Sequence, residues 1–186
     1  SMYNSQTKEF EYKPGSVFCN LFLADEINRT SPKTQSALLE VMEEGNVTVD
    51  GVTRKLPSPF TVIATENPLG SAGTQMLPES QLDRFMVCLS MGYPSHEDAV
   101  EILKGNAAKP LSHVKAVISR EEFADLQKQV GELYVHEMIY GYITTLVEKT
   151  RESQFISLGA SPRGSIALLR MAKATAFMNH RDYVSP

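Results

Sequence analysis

Cysteine is scarce, positive charge never runs together, and no apolar stretch approaches the roughly 20 residues of a membrane-spanning helix. Each shortage excludes a class of protein. Two cysteines in 186 residues cannot staple a disulfide scaffold, and Cys19 and Cys88 both lie in apolar runs, which suits reduced thiols in cytosolic strands. With 18 basic against 22 acidic side chains the net charge is −4, a poor basis for nucleic-acid binding when no basic run is present. The opening Ser1-Met2-Tyr3-Asn4-Ser5-Gln6-Thr7-Lys8-Glu9 is polar and carries no signal-peptide core, and Ser1-Met2 reads as a cloning remnant. Secreted, membrane-spanning and disulfide-scaffold readings are set aside. What is plentiful is apolar: 42% hydrophobic residues against 22% charged suffice for the core of one domain, or of a domain with a small companion.

Three runs read as buried parallel strands. Val17 to Ala24 is nearly continuous apolar, as a strand covered on both faces should be. Phe60 to Thr65 is a second and Phe85 to Leu89 a third. The first two stop abruptly at Asp25-Glu26 and Glu66-Asn67. Ligands of open α/β sheets bind beyond the carboxyl ends of strands, so these polar stops mark where chemistry would sit.

Between those strands the pattern predicts a helix and a hairpin. Ser31-Pro32 supplies an N-cap and a first-turn proline, Gln35, Leu38, Leu39 and Met42 share a face, and Gly45 fits the stop. Asp50-Gly51, between Asn46–Val49 and Val52–Leu56, is a type I′ hairpin signal. After Tyr93-Pro94 the pattern turns helical. Ser95 opens a short helix to Leu103 or Lys104, and Gly105 to Pro110 reads as a loop. Ser119-Arg120-Glu121-Glu122 is a capping box, Ile139, Ile143, Leu146 and Val147 mark a helix, and Ser161-Pro162 starts one ending near Met178. Asp182 to Pro186 reads as the opening of a further helix. The fold class is α/β with an all-helical companion: residues 1–93 form the first part and residues 94–186 the second.

Asp25-Glu26 is the most informative pair. Adjacent carboxylates at the end of a buried strand repel and lose solvation unless positive charge is near. A hydrated Mg²⁺ held by Asp25 would supply it, with Glu26 free to orient or deprotonate a water. An acidic pair opening a loop is the bland alternative. The continuation carries more. The stretches Leu21-Phe22-Leu23-Ala24-Asp25-Glu26-Ile27-Asn28-Arg29 with Pro32 to Glu40, Pro59 to Pro68, and Leu77-Pro78-Glu79-Ser80-Gln81-Leu82-Asp83-Arg84-Phe85 resemble, in order, the MoxR family of AAA+ ATPases. The resemblance covers about residues 17 to 94 and continues more weakly to the C-terminus.

This resemblance implies a partial AAA+ P-loop-type parallel sheet with a presensor-1 hairpin around Asp50-Gly51, followed by a helical lid. Asp25 and Glu26 match the Walker B pair, which acts on Mg²⁺ and the lytic water. Asn67 matches sensor 1, against its plain reading as a turn residue before Pro68. Arg84 matches the arginine finger that reaches a neighbouring subunit's γ-phosphate; the alternative is an Asp83–Arg84 surface charge cluster. Arg163 matches sensor 2. Placed beside Ser161-Pro162 at a helix N-terminus, its cation is unfavourable by roughly 0.3–1 kcal/mol unless an anion is bound there, or it simply points into water. The implied cofactors are ATP and Mg²⁺. The implied partners are further copies, as a hexameric ring, and client proteins, often with von Willebrand factor A domains, in the cytoplasm.

One element of the resemblance is absent. No G-x-x-x-x-G-K-[ST] string occurs; Gly70-Ser71-Ala72-Gly73-Thr74 and Lys104-Gly105-Asn106 lack the lysine or the spacing. The expectation is therefore a fragment that neither binds nor hydrolyses ATP well by itself. A central strand would then be absent from the sheet, its place filled by another chain, by a separate piece of the protein, or by rearrangement. Two other readings stand beside the ATPase: a non-catalytic assembly module with a structural acidic pair, and a helicase-type relative acting on DNA, which the negative charge opposes. His136-Glu137-Met138-Ile139-Tyr140 fails as a zincin helix because Tyr140 replaces the second histidine.

Overall fold

The computed structural model describes residues 2–5, 8–67, 76–105 and 114–186. Gly70 to Thr74 and most of the Gly105–Pro110 loop lie outside these residues. The chain divides into two compact units, Ser1–Phe85 and Met86–Pro186.

The first unit opens with a small antiparallel pair, β1 (Met2–Asn4) and β2 (Glu9–Glu11). β3 (Leu21–Ala24) is shorter than the apolar run that predicts it. Residues 16–20 turn instead, with Phe18 N–H donating to the Gly15 carbonyl and the Asn20 amide to the Pro59 carbonyl. A 3₁₀ turn (Ile27–Arg29) leads into α1 (Pro32–Glu44), capped by the Ser31 hydroxyl and closed by Gly45 at φ 64°, as a left-handed C-cap requires. β4 (Asn46–Val49) and β5 (Val52–Lys55) form the expected hairpin; Asp50 and Gly51 both take positive φ. β6 (Thr61–Ala64) pairs in parallel with β3, Leu21 beside Thr61 through to Ala24 beside Ala64. A short helix, α2 (Glu79–Leu82), completes the unit.

Two strand expectations are corrected here. β3 and β6 are covered on one face only. Phe22 and Ala24 line an apolar cleft of about 330 Å³ with Ala37, Leu38 and Val41 of α1, whereas Leu21, Leu23 and Ile63 on the other face are 61%, 61% and 51% exposed. Among the described residues no element lies over that face. Phe85–Leu89 forms no strand at all. A strand exists by pairing, and among the described residues none pairs with this run; Val87 and Leu89 stand exposed. Nor does any rearrangement of the described residues add a third strand to the β3–β6 pair. Cys19 and Cys88 are free thiols, but neither lies in a strand.

The second unit is helical: α3 (His96–Leu103), α4 (Arg120–Glu132), α5 (Glu137–Glu152) and α6 (Pro162–Met178). The Ser119–Glu122 capping box forms in both directions, hydroxyl to backbone and carboxylate to backbone. Ile139 and Ile143 of α5 and Ala176 of α6 pack with Val184 into one core, flanked by Leu133, Val135, Leu169 and Ala172. Val184 explains why no helix opens at Asp182. The segment stays extended, Tyr183 bridging Tyr134 and Val184 N–H donating to the Tyr134 carbonyl at 3.1 Å, which delivers Val184 into the core.

Candidate active site

Parallel, in-register pairing brings the carboxyl ends of β3 and β6 to one edge, so Asp25 and Thr65 leave the sheet side by side. The ladder runs on into the turn: Thr65 N–H donates to the Ala24 carbonyl, and Ile27 N–H donates to the Thr65 carbonyl, both at 3.0 Å. The Thr65 hydroxyl donates to Asp25 Oδ1 at 2.6 Å and accepts the Glu26 N–H at 2.8 Å. Glu26 itself is left-handed, φ 48° and ψ 50°. Its Oε2 lies 3.0 Å from Arg29 Nη1. That guanidinium supplies part of the positive charge two adjacent carboxylates call for, although the pair is half exposed and weak in stability terms.

Asn67 joins through its backbone. Asn28, 4% exposed, donates its amide to the Asn67 carbonyl at 3.2 Å, and its Oδ1 faces the Asn67 N–H at 3.5 Å. Gln35 of α1, nearly buried, donates to the carbonyls of Ile27 and Thr30, each at 3.2 Å. Buried side-chain amides must find such partners, and here their partners are the backbone that carries the carboxylates. Asp25, Glu26 and Asn67 therefore share one hydrogen-bonded edge, with Ile27 buried beneath as an anchor.

Arg84 is placed otherwise. It follows α2, and its Nη1 lies 2.6 Å from Glu43 Oε2 near the C-terminal end of α1. Among the described residues its Nε is buried without a hydrogen-bond partner. Arg163 belongs to the helical unit, exposed at the second residue of α6 behind the Ser161 cap. The loop ahead of that cap is tied to α5: Arg151 Nε donates to the Ala160 carbonyl at 2.8 Å, and Ala160 N–H donates to the Thr150 hydroxyl at 2.9 Å. No cluster of three or more His, Cys, Asp or Glu that could hold a metal occurs among the described residues. Asp25 alone still suits a hydrated Mg²⁺, an ion that keeps most of its waters and takes one or two carboxylates alongside phosphates.

Comparison with known proteins decides the family. The profile of the ATPase family associated with various cellular activities (AAA) matches residues 1–87, and that of the AAA lid domain matches residues 148–186. The chain is 38% identical over its whole length to the chaperone MoxR1 of Mycobacterium tuberculosis. It belongs to the MoxR-type AAA ATPases. YeaC of Bacillus subtilis is 52% identical, again over the whole chain. A candidate ATPase from Cytophaga hutchinsonii superimposes on the entire chain with a TM-score of 0.86 at 39% identity. The chain spans 58% of YeaC, 51% of MoxR1 and 59% of the Cytophaga protein, a little over half the length of each relative.

In this MoxR-type chain the sequence singles out Asp25, Glu26 and Asn67 but assigns no site role to Thr65, Asn28, Gln35 or Arg29. A signal was there for Thr65: the parallel register opposes the residue after β6 to the residue after β3. Gln35 had one too, its place on the apolar face of α1, whereas Asn28 gave none, because a polar residue in a turn looks solvated until its burial is known.

Proposed function

We propose that this chain supplies the hydrolytic strand ends and the lid of an ATP-hydrolysing, MoxR-type remodelling protein. The observation that carries the reading is the shared edge at which Asp25, Glu26, Thr65 and Asn67 meet beyond two parallel strands. Asp25 is the residue to hold a hydrated magnesium ion, which supplies positive charge against the phosphates. Glu26 accepts the proton of a water whose oxygen adds to the γ-phosphorus as the bond to ADP breaks. Arg29 engages Oε2, so Oε1 is the oxygen for that proton. Asn67 orients the water, and Arg84 answers negative charge on a neighbouring copy's nucleotide, its permanently charged planar fork suiting a transferring phosphoryl group. Arg163 contacts nucleotide from the lid.

The working assembly in this reading is a cytoplasmic homo-oligomeric ring, hexameric by family resemblance. Its clients are proteins, those with von Willebrand factor A domains among them. The phosphate cradle comes from sequence this chain does not contain.

Glu26→Gln, in a full-length protein carrying this sequence with a phosphate-binding loop, is the test. Turnover should vanish while ATP binding persists. Unchanged turnover would remove Glu26 from the chemistry.

A further inference from the structure

The structure assigns to Thr65 the role of positioning both carboxylates, a role that rests on the hydrolytic reading of Asp25 and Glu26. Three facts lead there. An ionised carboxylate cannot donate, so the single Thr65 hydroxyl proton must go to Asp25 Oδ1 at 2.6 Å. A lone pair of the same oxygen takes the Glu26 N–H at 2.8 Å. The Thr65 N–H and carbonyl are committed to Ala24 and Ile27, on either side of the acidic pair. Every hydrogen-bonding group of Thr65 thus engages the four-residue segment from Ala24 to Ile27.

The consequences differ for the two acids. Asp25 is held by its Oδ1, which leaves Oδ2 outside this hydrogen bond. Glu26 is held through its backbone, in the left-handed conformation that swings its side chain away from the continuing strand direction. One hydroxyl therefore fixes the orientation of one carboxylate and the backbone from which the other projects. Asn28 and Gln35 hold backbone atoms of the same edge but touch neither carboxylate.

The hydroxyl can be separated from the shape of the side chain. Thr65→Val keeps the branch and removes donor and acceptor together; Thr65→Ala removes the branch as well; Thr65→Ser keeps the hydroxyl. In the full-length, loop-containing protein we expect Thr65→Val and Thr65→Ala to lower kcat by about 10–100-fold, as loss of an outer-shell partner commonly does. The Mg²⁺ concentration for half-maximal rate should rise, while the affinity for ATP without metal stays at the wild-type value and the melting temperature falls only by the small amount that two lost hydrogen bonds bring. Thr65→Ser should restore most of the rate. Glu26→Gln is measured alongside. If it abolishes turnover while Thr65→Val and Thr65→Ala keep the wild-type rate, the role of Thr65 is overturned and the hydrolytic reading stands. The role also falls if Thr65→Ser is as slow as Thr65→Val, or if the slow variants melt early in proportion to their loss. Turnover intact in Glu26→Gln removes the reading, and this role with it.

Discussion

The two units build their cores differently. In the helical unit residues of α5, of α6 and Val184 share one core, while α3 and α4 bury no residue fully and Leu89, Leu103 and Phe155 stand exposed. The α/β unit is one-sided. Its paired strands bury Phe22 and Ala24 toward α1 and leave Leu21, Leu23 and Ile63 uncovered. Helices satisfy their backbones within one segment and need a neighbour only for a stripe of side chains. A parallel strand needs a partner brought from a distance in sequence, and its faces are covered by elements that are equally distant. The site lies in the unit that depends more on distant chain.

The sharpest break of this contrast pairs two truncations. Ile143→Ala, inside the helical core, should destabilise that unit by about 2–5 kcal/mol. Leu23→Ala, on the uncovered sheet face, should move stability by less than about 0.5 kcal/mol. Denaturant melts of the 186-residue chain measure both. Equal effects would mean that the sheet face is covered in solution.

Next in size is Gly159→Ala. A Cβ there would stand 2.6 Å from Arg151 Cα, a backbone atom that cannot step aside. About 1–3 kcal/mol of destabilisation is expected, with hydrogen exchange quickened at the start of α6, where Ala160 is tied down. A neutral outcome would show that the loop ahead of Arg163 is not rigid.

Smaller again, Ser119→Ala should cost about 1 kcal/mol by leaving the first turn of α4 uncapped, read as fraying by exchange and a lower melting temperature. The smallest effect is its pH counterpart. Glu122 is held below the usual carboxyl range, first by the Ser119 backbone N–H and then by the Ser119 hydroxyl. Since the folded value is the lower one, the contribution is present above the unfolded value and fades as pH falls through the folded one. Subtracting the melting curve of Glu122→Gln from that of wild type should give a small difference at neutral pH that disappears in acid.

The legible parts of the sequence were those with local causes. Asp50-Gly51, Ser119 with Glu122, Ser31-Pro32 and Ser161-Pro162 each specify a turn or cap within four residues, and each formed where expected. Apolar runs misled where pairing had to be supplied from afar. Phe85–Leu89 has the composition of a strand and no strand partner among the described residues, and Val17 to Asn20 turns before β3 begins. The β1–β2 pair left no mark because its strands are three residues each. Of the site, the acidic pair and Asn67 were legible by motif, whereas the hydroxyl and amides that hold them act through burial and register.

The backbone of Glu26 sets function against robustness. Glycine and asparagine occupy left-handed backbone with little strain, whereas glutamate gives up roughly 1–2 kcal/mol to sit at φ 48°. A selection scheme that rewards thermal robustness alone would tend to replace it, and with it the carboxylate that we propose accepts the water's proton. Any hardened version of this domain should therefore be assayed for turnover before position 26 is allowed to vary.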